Sequence, residues 1–141
     1  ELLVVIAIIG ILATIVLVSL NSARQKARDT RRVGDLRQVA LAIEMYYDDH
    51  VGTGYPAVTG CTAANWSTTL AGLLEAAPGY MTSVPDDPVN SGTYVYMYGG
   101  TTTDYALMAT LENTSNAALL TDVDGTAVSC ACADPAYCIQ P

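Results

Sequence analysis

Only six of the 141 residues are basic, against 14 acids, and a single residue is histidine. The net charge of −8 excludes nucleic acid as the principal ligand, because that ligand requires a basic surface to neutralise its phosphates. One histidine, His50, leaves no room for a multi-histidine metal site, and no Gly-x-Ser-x-Gly elbow is present, so no enzyme is expected. A hydrophobic content of 51 % excludes a disordered acidic tail. The length points to one globular domain, and the mean hydropathy of +0.30 is high for a soluble one.

Basic residues are also missing from most of the chain. Arg24, Lys26, Arg28, Arg31, Arg32 and Arg37 are all of them, and the 104 residues after Arg37 carry eleven acids and no Lys or Arg. Such a charge dipole suits copies of the chain that meet basic zone to acidic zone. It equally suits a basic cluster beside a membrane with a solubilising acidic domain beyond.

From Leu2 to Val18 the chain has no charge, and only Gly10 and Thr14 interrupt strong hydrophobicity. Extended through Leu20 it forms a helix of ~30 Å, enough to cross a hydrocarbon core. It is apolar all round, so it belongs in lipid or inside an assembly. A cleaved signal peptide would open on basic residues and close on a small-residue site, whereas this segment opens on Glu1 and runs into the basic cluster; it reads as a retained anchor. Glu1 is costly to bury unless protonated or paired with a cation, and otherwise sits exposed among headgroups.

Glu1-Leu2-Leu3-Val4-Val5-Ile6-Ala7-Ile8-Ile9-Gly10-Ile11-Leu12-Ala13 resembles the N-terminal segment of mature type IV pilins and of type II secretion pseudopilins. The resemblance implies an α+β pilin fold, with a long N-terminal helix packed on a small antiparallel head. It implies maturation by a prepilin peptidase, and a Glu1 that pairs with the N-terminal amine of a neighbouring subunit. The family's residues before that glutamate, and its leader, are absent, so the sequence is expected to continue upstream. Six bases after the span would hold the head in the cytoplasm by the positive-inside rule, whereas four cysteines favour an oxidising compartment. A lost basic leader removes part of that conflict, and the head is placed outside.

Past the anchor, Val33, Leu36, Ala40, Ile43 and Tyr47 step by three and four, an amphipathic helix over 22–49 that continues the first without a break as a rod of ~75 Å. Two glycines and Pro56 end it. Residues 35–47, with their double tyrosine, also resemble pseudopilins and minimal bacterial pilins. No proline precedes Pro56, so any local melting in a filament would centre on Gly10 or Thr14. The expected organisation is a filament-core or transmembrane helix over 1–20, its amphipathic continuation over 21–50, and an acidic head over 51–141.

In the head, Trp66, Leu70, Leu73 and Leu74 predict a second helix over 65–75, capped by Asn65 and closed by Pro78-Gly79. Pro85, Asp87 and Pro88 resemble the Pro-x-Asp-Pro signature of pseudopilins. Alternation over 93–98 and 104–111 predicts an antiparallel hairpin around residues 99–103, with a third strand near 117–121 or 126–129. Tyr94, Tyr96 and Tyr98 share one face, either as a binding stripe or as a core edge with hydroxyls in water.

Cys61, Cys130, Cys132 and Cys138 lack zinc or haem spacing and predict two disulfides. Adjacent Cys130 and Cys132 do not pair readily, which leaves Cys61 bonded to one of them and Cys138 to the other. The pairing expected is Cys61–Cys130 with Cys132–Cys138. Asp122 and Asp124 before Gly125 are part of a calcium loop or an ordinary acidic turn, and some pseudopilins bind calcium in this region. No other cofactor is expected. Asn65-Trp-Ser67 and Asn113-Thr-Ser115 fit the glycosylation sequon.

The function implied is a structural subunit. Leu2, Leu3, Val4, Val5, Ile6, Ile8, Ile9, Gly10, Ile11 and Leu12 would form the core of an extracellular helical pilus, with Glu1 setting the stagger. The six bases would face acidic heads of adjacent subunits. Partners would be further copies, the inner membrane before assembly, the prepilin peptidase and the assembly platform. The alternatives are the major pseudopilin of a type II secretion system, a periplasmic piston, and a monomeric anchored binding module using the tyrosine stripe.

Overall fold

The computed structural model describes residues 2–77 and 79–141; Glu1, and Pro78 as a helix stop, lie outside the described residues. Helix α1 runs Leu2–Asp49 as one 48-residue element, ~72 Å at the standard rise. It passes through Gly10 and Thr14 without a break. The Thr14 hydroxyl donates back to the carbonyls of Ile11 (2.7 Å) and Gly10 (3.3 Å), so the one side-chain hydroxyl of the apolar run is satisfied inside its own helix.

The second half of α1 buries Leu36, Val39, Ala42 and Ile43, close to the expected stripe. That stripe does not stop at its apolar end. Asp29 and Arg32 continue it one turn at a time and are both fully buried. Val33, Ala40 and Tyr47, expected on the stripe, flank it half-buried.

After the turn at residues 50–54, the chain enters helix α2, a wide π-type stretch Asn65–Leu70 leading into one α-turn, Ala71–Leu74. The start differs from the expectation in one respect. The Thr62 hydroxyl accepts from the Asn65 amide nitrogen (3.1 Å) and serves as the cap, while the Asn65 side chain donates to the carbonyls of Gly60 (2.9 Å) and Tyr98 (3.2 Å).

Five strands follow: β1 Met97–Gly100, β2 Tyr105–Thr110, β3 Gly125–Ala127, β4 Cys130–Cys132 and β5 Ala136–Ile139. The main sheet has the order β1-β2-β5, all antiparallel, with Met97 opposite Met108 and Met108 opposite Cys138. A separate hairpin pairs β3 with β4. The fold is thus α+β, a long helix with a small antiparallel sheet.

The first strand begins four residues later than expected and takes in Gly99 and Gly100, which the alternation assigned to a turn. Both glycines are required. A Cβ on Gly99 would meet the Val128 carbonyl, and one on Gly100 would meet the Pro56 carbonyl. Residues 117–120, one of two candidates for a third strand, form a 3-10 turn capped by Asn116, whose side chain accepts from the Ala118 amide at 3.0 Å. The other candidate, 126–129, overlaps β3.

Sheet packing explains why β2 is buried on alternate and intervening residues alike. Tyr105, Leu107 and Ala109 join Tyr137 of β5 under α1. Ala106 and Met108 face the other way, against Ala136, Cys138 and the β3–β4 hairpin with its Cys130 and Cys132. The sheet is therefore a middle layer, covered by the helix on one side and by the hairpin on the other.

Candidate functional site

The first twenty residues of α1 are packed by no other element among the described residues. None of the most apolar 18-residue window is buried, and Leu2 is 77 % and Val18 73 % exposed. Leu3, Val4, Val5, Ile6, Ile8, Ile9, Ile11 and Leu12 are exposed on every face of the helix, and Gly10 has open space where a side chain would begin. Water does not tolerate so large an apolar surface, so it is a surface to be covered. By length and composition the helix can cross a membrane. Glu1 is not among the described residues.

Where the head first touches α1, a charged socket fixes the two together. Arg32 lies at its centre with no solvent exposure. Its Nε donates to Asp87 Oδ2 (2.6 Å) and its NH2 to Asp87 Oδ1 (3.0 Å), the two-pronged geometry that a guanidinium makes with a carboxylate. Its NH1 donates to Asp29 Oδ1 and to Glu112 Oε1, both at 2.8 Å. Tyr94 stacks its ring 4.9 Å from the guanidinium carbon. Burial alone would disfavour the Arg32 charge, but the hydrogen bonds it donates to Asp87, Glu112 and Asp29 outweigh it and raise the pKa.

The acids are held in turn. Asp29 also accepts the backbone amides of Glu112 and Asn113, both at 2.9 Å, which ties the chain after β2 directly to α1. Asp87 accepts the Val89 amide at 2.8 Å, closing its own turn. Glu112 takes both Nε (2.6 Å) and NH2 (2.5 Å) of Arg28. Hydrogen bonds from Arg28, and then from Arg32, hold the Glu112 carboxyl down to about 2.

This socket corrects the reading of the basic band as one surface. Arg32 is consumed inside the subunit and cannot face a neighbour. Arg28 is largely consumed with it. Arg31 lies 3.4 Å from Asp35, one turn on, and stays mostly exposed. Arg24, Lys26 and Arg37 are exposed and form no salt bridge among the described residues.

The tyrosine stripe is a set of anchors. Tyr96 donates to Asp35 Oδ2 (2.8 Å) and Tyr98 to the Pro56 carbonyl (2.6 Å), so these two hydroxyls lie inside the protein and not in water. Burial raises both phenols. Only Tyr94 is left partly open, and it covers Arg32. Higher on α1, Tyr55 and Tyr105 both donate to Glu44, at 3.0 Å each; burial, and then the Glu44 bond, push Tyr55 up to about 12. His50 stacks on Tyr46 with ring centroids 4.0 Å apart.

Cys61–Cys130 and Cys132–Cys138 are bonded, as expected, with Cα separations of 4.9 and 5.7 Å. The first ties the approach to α2 to β4, and the second ties β4 to β5. Asp122 and Asp124 are joined by Asp134, which spacing did not reveal, and oxygens of the three lie within 4.8 Å of one another. Oxygens around a calcium ion stand up to ~5 Å apart, so the set fits a hard cation. Asp122 Oδ2 accepts the Cys138 amide (2.9 Å), and its buried Oδ1 has no partner among the described residues. Burial raises the Asp122 pKa, followed by the opposing Cys138 bond and by repulsion from Asp124 and Asp134.

Of the two sequons, Asn65 spends its amide on backbone carbonyls, whereas Asn113 lies in the loop after β2 with its carbonyl accepting the Ser115 amide (3.1 Å). Comparison with protein-family models, curated proteins and solved structures gives no match to this chain.

Proposed function

We propose that the chain is a type IV pilin-like structural subunit, which polymerises through its N-terminal helix into an extracellular filament after a period in the inner membrane. The observation that carries this reading is the continuity of α1. A fully exposed apolar half and a half locked to the head by a buried ion cluster belong to one uninterrupted helix. An anchor for a monomeric binding module does not require rigid coupling. A filament does, because the position of each head must follow from the packing of its core helix.

In this reading Glu1 neutralises the terminal amine of a neighbour, and maturation requires the prepilin peptidase and an assembly platform. The exposed remainder of the basic band meets acidic heads. The Pro85–Pro88 segment, with Asp87 clamped on Arg32, keeps the major pseudopilin of a type II secretion system as the second reading. A calcium ion at Asp122, Asp124 and Asp134 would brace the same head in either case.

The test is to image material sheared from the cell surface by cryo-electron microscopy and identify its protein by mass spectrometry. Long filaments of this chain are expected. Recovery solely from membranes favours the pseudopilin or the anchored monomer, and Glu1→Ala then separates those: it abolishes pseudopilus assembly and leaves an anchored monomer unaffected.

A further inference from the structure

At the foot of the head, the geometry points to a seat for the phosphodiester of an anionic phospholipid, in the cleft between α1 and the loop after β2. It rests on the membrane residence proposed above and adds a specific ligand to it.

The cleft has a volume of about 170 Å³ and is lined by Ser22, Gln25 and Lys26 of α1 and by Glu112, Asn113 and Thr114 of the head. Its position follows from the helix. Ser22 to Lys26 lie ~3–9 Å beyond Leu20 along α1, the depth at which headgroups begin outside the hydrocarbon. The donors are free. Among the described residues, the side chains of Ser22, Gln25, Lys26 and Thr114 make no hydrogen bond or salt bridge, so the cleft holds an ammonium, two hydroxyls and an amide aimed at no protein acceptor. Arg24 is exposed on the same turn, but two residues from Lys26 it lies on the opposite face of α1 and does not line the cleft.

Glu112 does not spoil the site for an anion. Arg28 forks its carboxylate and Arg32 reaches one oxygen, so it is turned into the socket; the socket keeps one net negative charge, two cations against three carboxylates, and an anion in the cleft would depend on Lys26 and the neutral donors. Elsewhere the chain beyond Arg37 carries eleven acids and no base, so the head as a whole is repelled by an anionic surface. Arg24 and Lys26 are the exposed cations nearest the lipid, and of the two Lys26 lines the cleft. Arg37 is too far out, ~25 Å past Leu20 along the helix, to share in it. A headgroup seated here would hold the head at a fixed height and rotation above the lipid. On polymerisation the lipid stays behind, which frees the same cations for acidic neighbours.

The test uses the full chain in nanodiscs of phosphatidylcholine with and without phosphatidylglycerol, and counts lipids retained on release by native mass spectrometry. Retention of phosphatidylglycerol over phosphatidylcholine is expected. It should fall about fivefold for Lys26→Gln, less for Arg24→Gln on the opposite face, and not at all for Arg37→Gln. Ser22→Ala with Thr114→Ala, which leaves every charge in place, should also lower it. If that pair has no effect, the attraction is diffuse and the seat is overturned. Displacement by inorganic phosphate would make the ligand a soluble anion and also overturn it. A chain that inserts without lipid preference refutes this inference alone, and a chain that does not enter the disc refutes the membrane reading with it.

Discussion

Arg32 is fully buried, and three carboxylates converge on it. Such clusters contribute little beyond a well-packed apolar core, yet removing one partner is expensive because the others remain charged and dry. Asp87→Ala should therefore destabilise the head by roughly 3–5 kcal/mol in denaturant unfolding of the micelle-solubilised chain. Arg32→Lys should also destabilise it, since an ammonium cannot reproduce the fork on Asp87. Arg31→Ala, at a mostly exposed pair, should cost less than about 1 kcal/mol. Glu112 adds a pH dependence. Its folded pKa of about 2 lies below the ordinary 4.5, so its stabilisation is complete above 4.5 and drains as pH falls towards 2. The unfolding midpoint should be flat near neutrality, fall across that window, and fall less steeply there in Glu112→Gln.

Among the elements, the sheet depends on segments that carry weak local signals. Gly99→Ala and Gly100→Ala should each destabilise the head by at least about 1 kcal/mol, because backbone carbonyls occupy the space of the new methyl. The bridge spanning 69 residues should be worth about 4 kcal/mol and the one spanning 6 about 2 by chain entropy, a difference checked by replacing each cysteine pair with serine. Calcium should raise the unfolding temperature at neutral pH. Asp122→Asn should abolish that response while stabilising the cation-free head, because the raised Asp122 pKa makes its ionised form a cost that grows as pH rises through it.

The sequence was legible where apolar period and burial coincide, in α1, the Leu36 to Ile43 stripe and β2; for the cysteines, spacing narrowed three pairings to two and did not decide between them. It was illegible at Asp29 and Arg32, because charge reads as solvent-facing until three distant partners are in view. β1 slipped because the tyrosine alternation extends beyond its hydrogen-bonded length, while the strand continues through glycines selected by close approach. β4 and β5 were missed because a three- or four-residue strand rich in cysteine and alanine shows no alternation of its own.

At the scale of the whole molecule, the exposed cations left outside the socket set the salt sensitivity. In the proposed assembly, filament length and mass per length should fall from low to high salt, as screening shortens the reach of Arg24, Lys26, Arg31 and Arg37 to a few ångströms. The socket itself, dry and internal, should not respond. One consequence concerns the order in which the molecule can be made. β2 is the central strand, but one of its two partners, β5, comes 25 residues after it, beyond the hairpin that covers its outer face. A chain emerging from its N-terminus completes α1 long before residue 139 exists, and the half-built head must wait open beside it. Cys138 is the last of the four cysteines to emerge, so its bond to Cys132 is a latch thrown only once the strand that completes the main sheet exists.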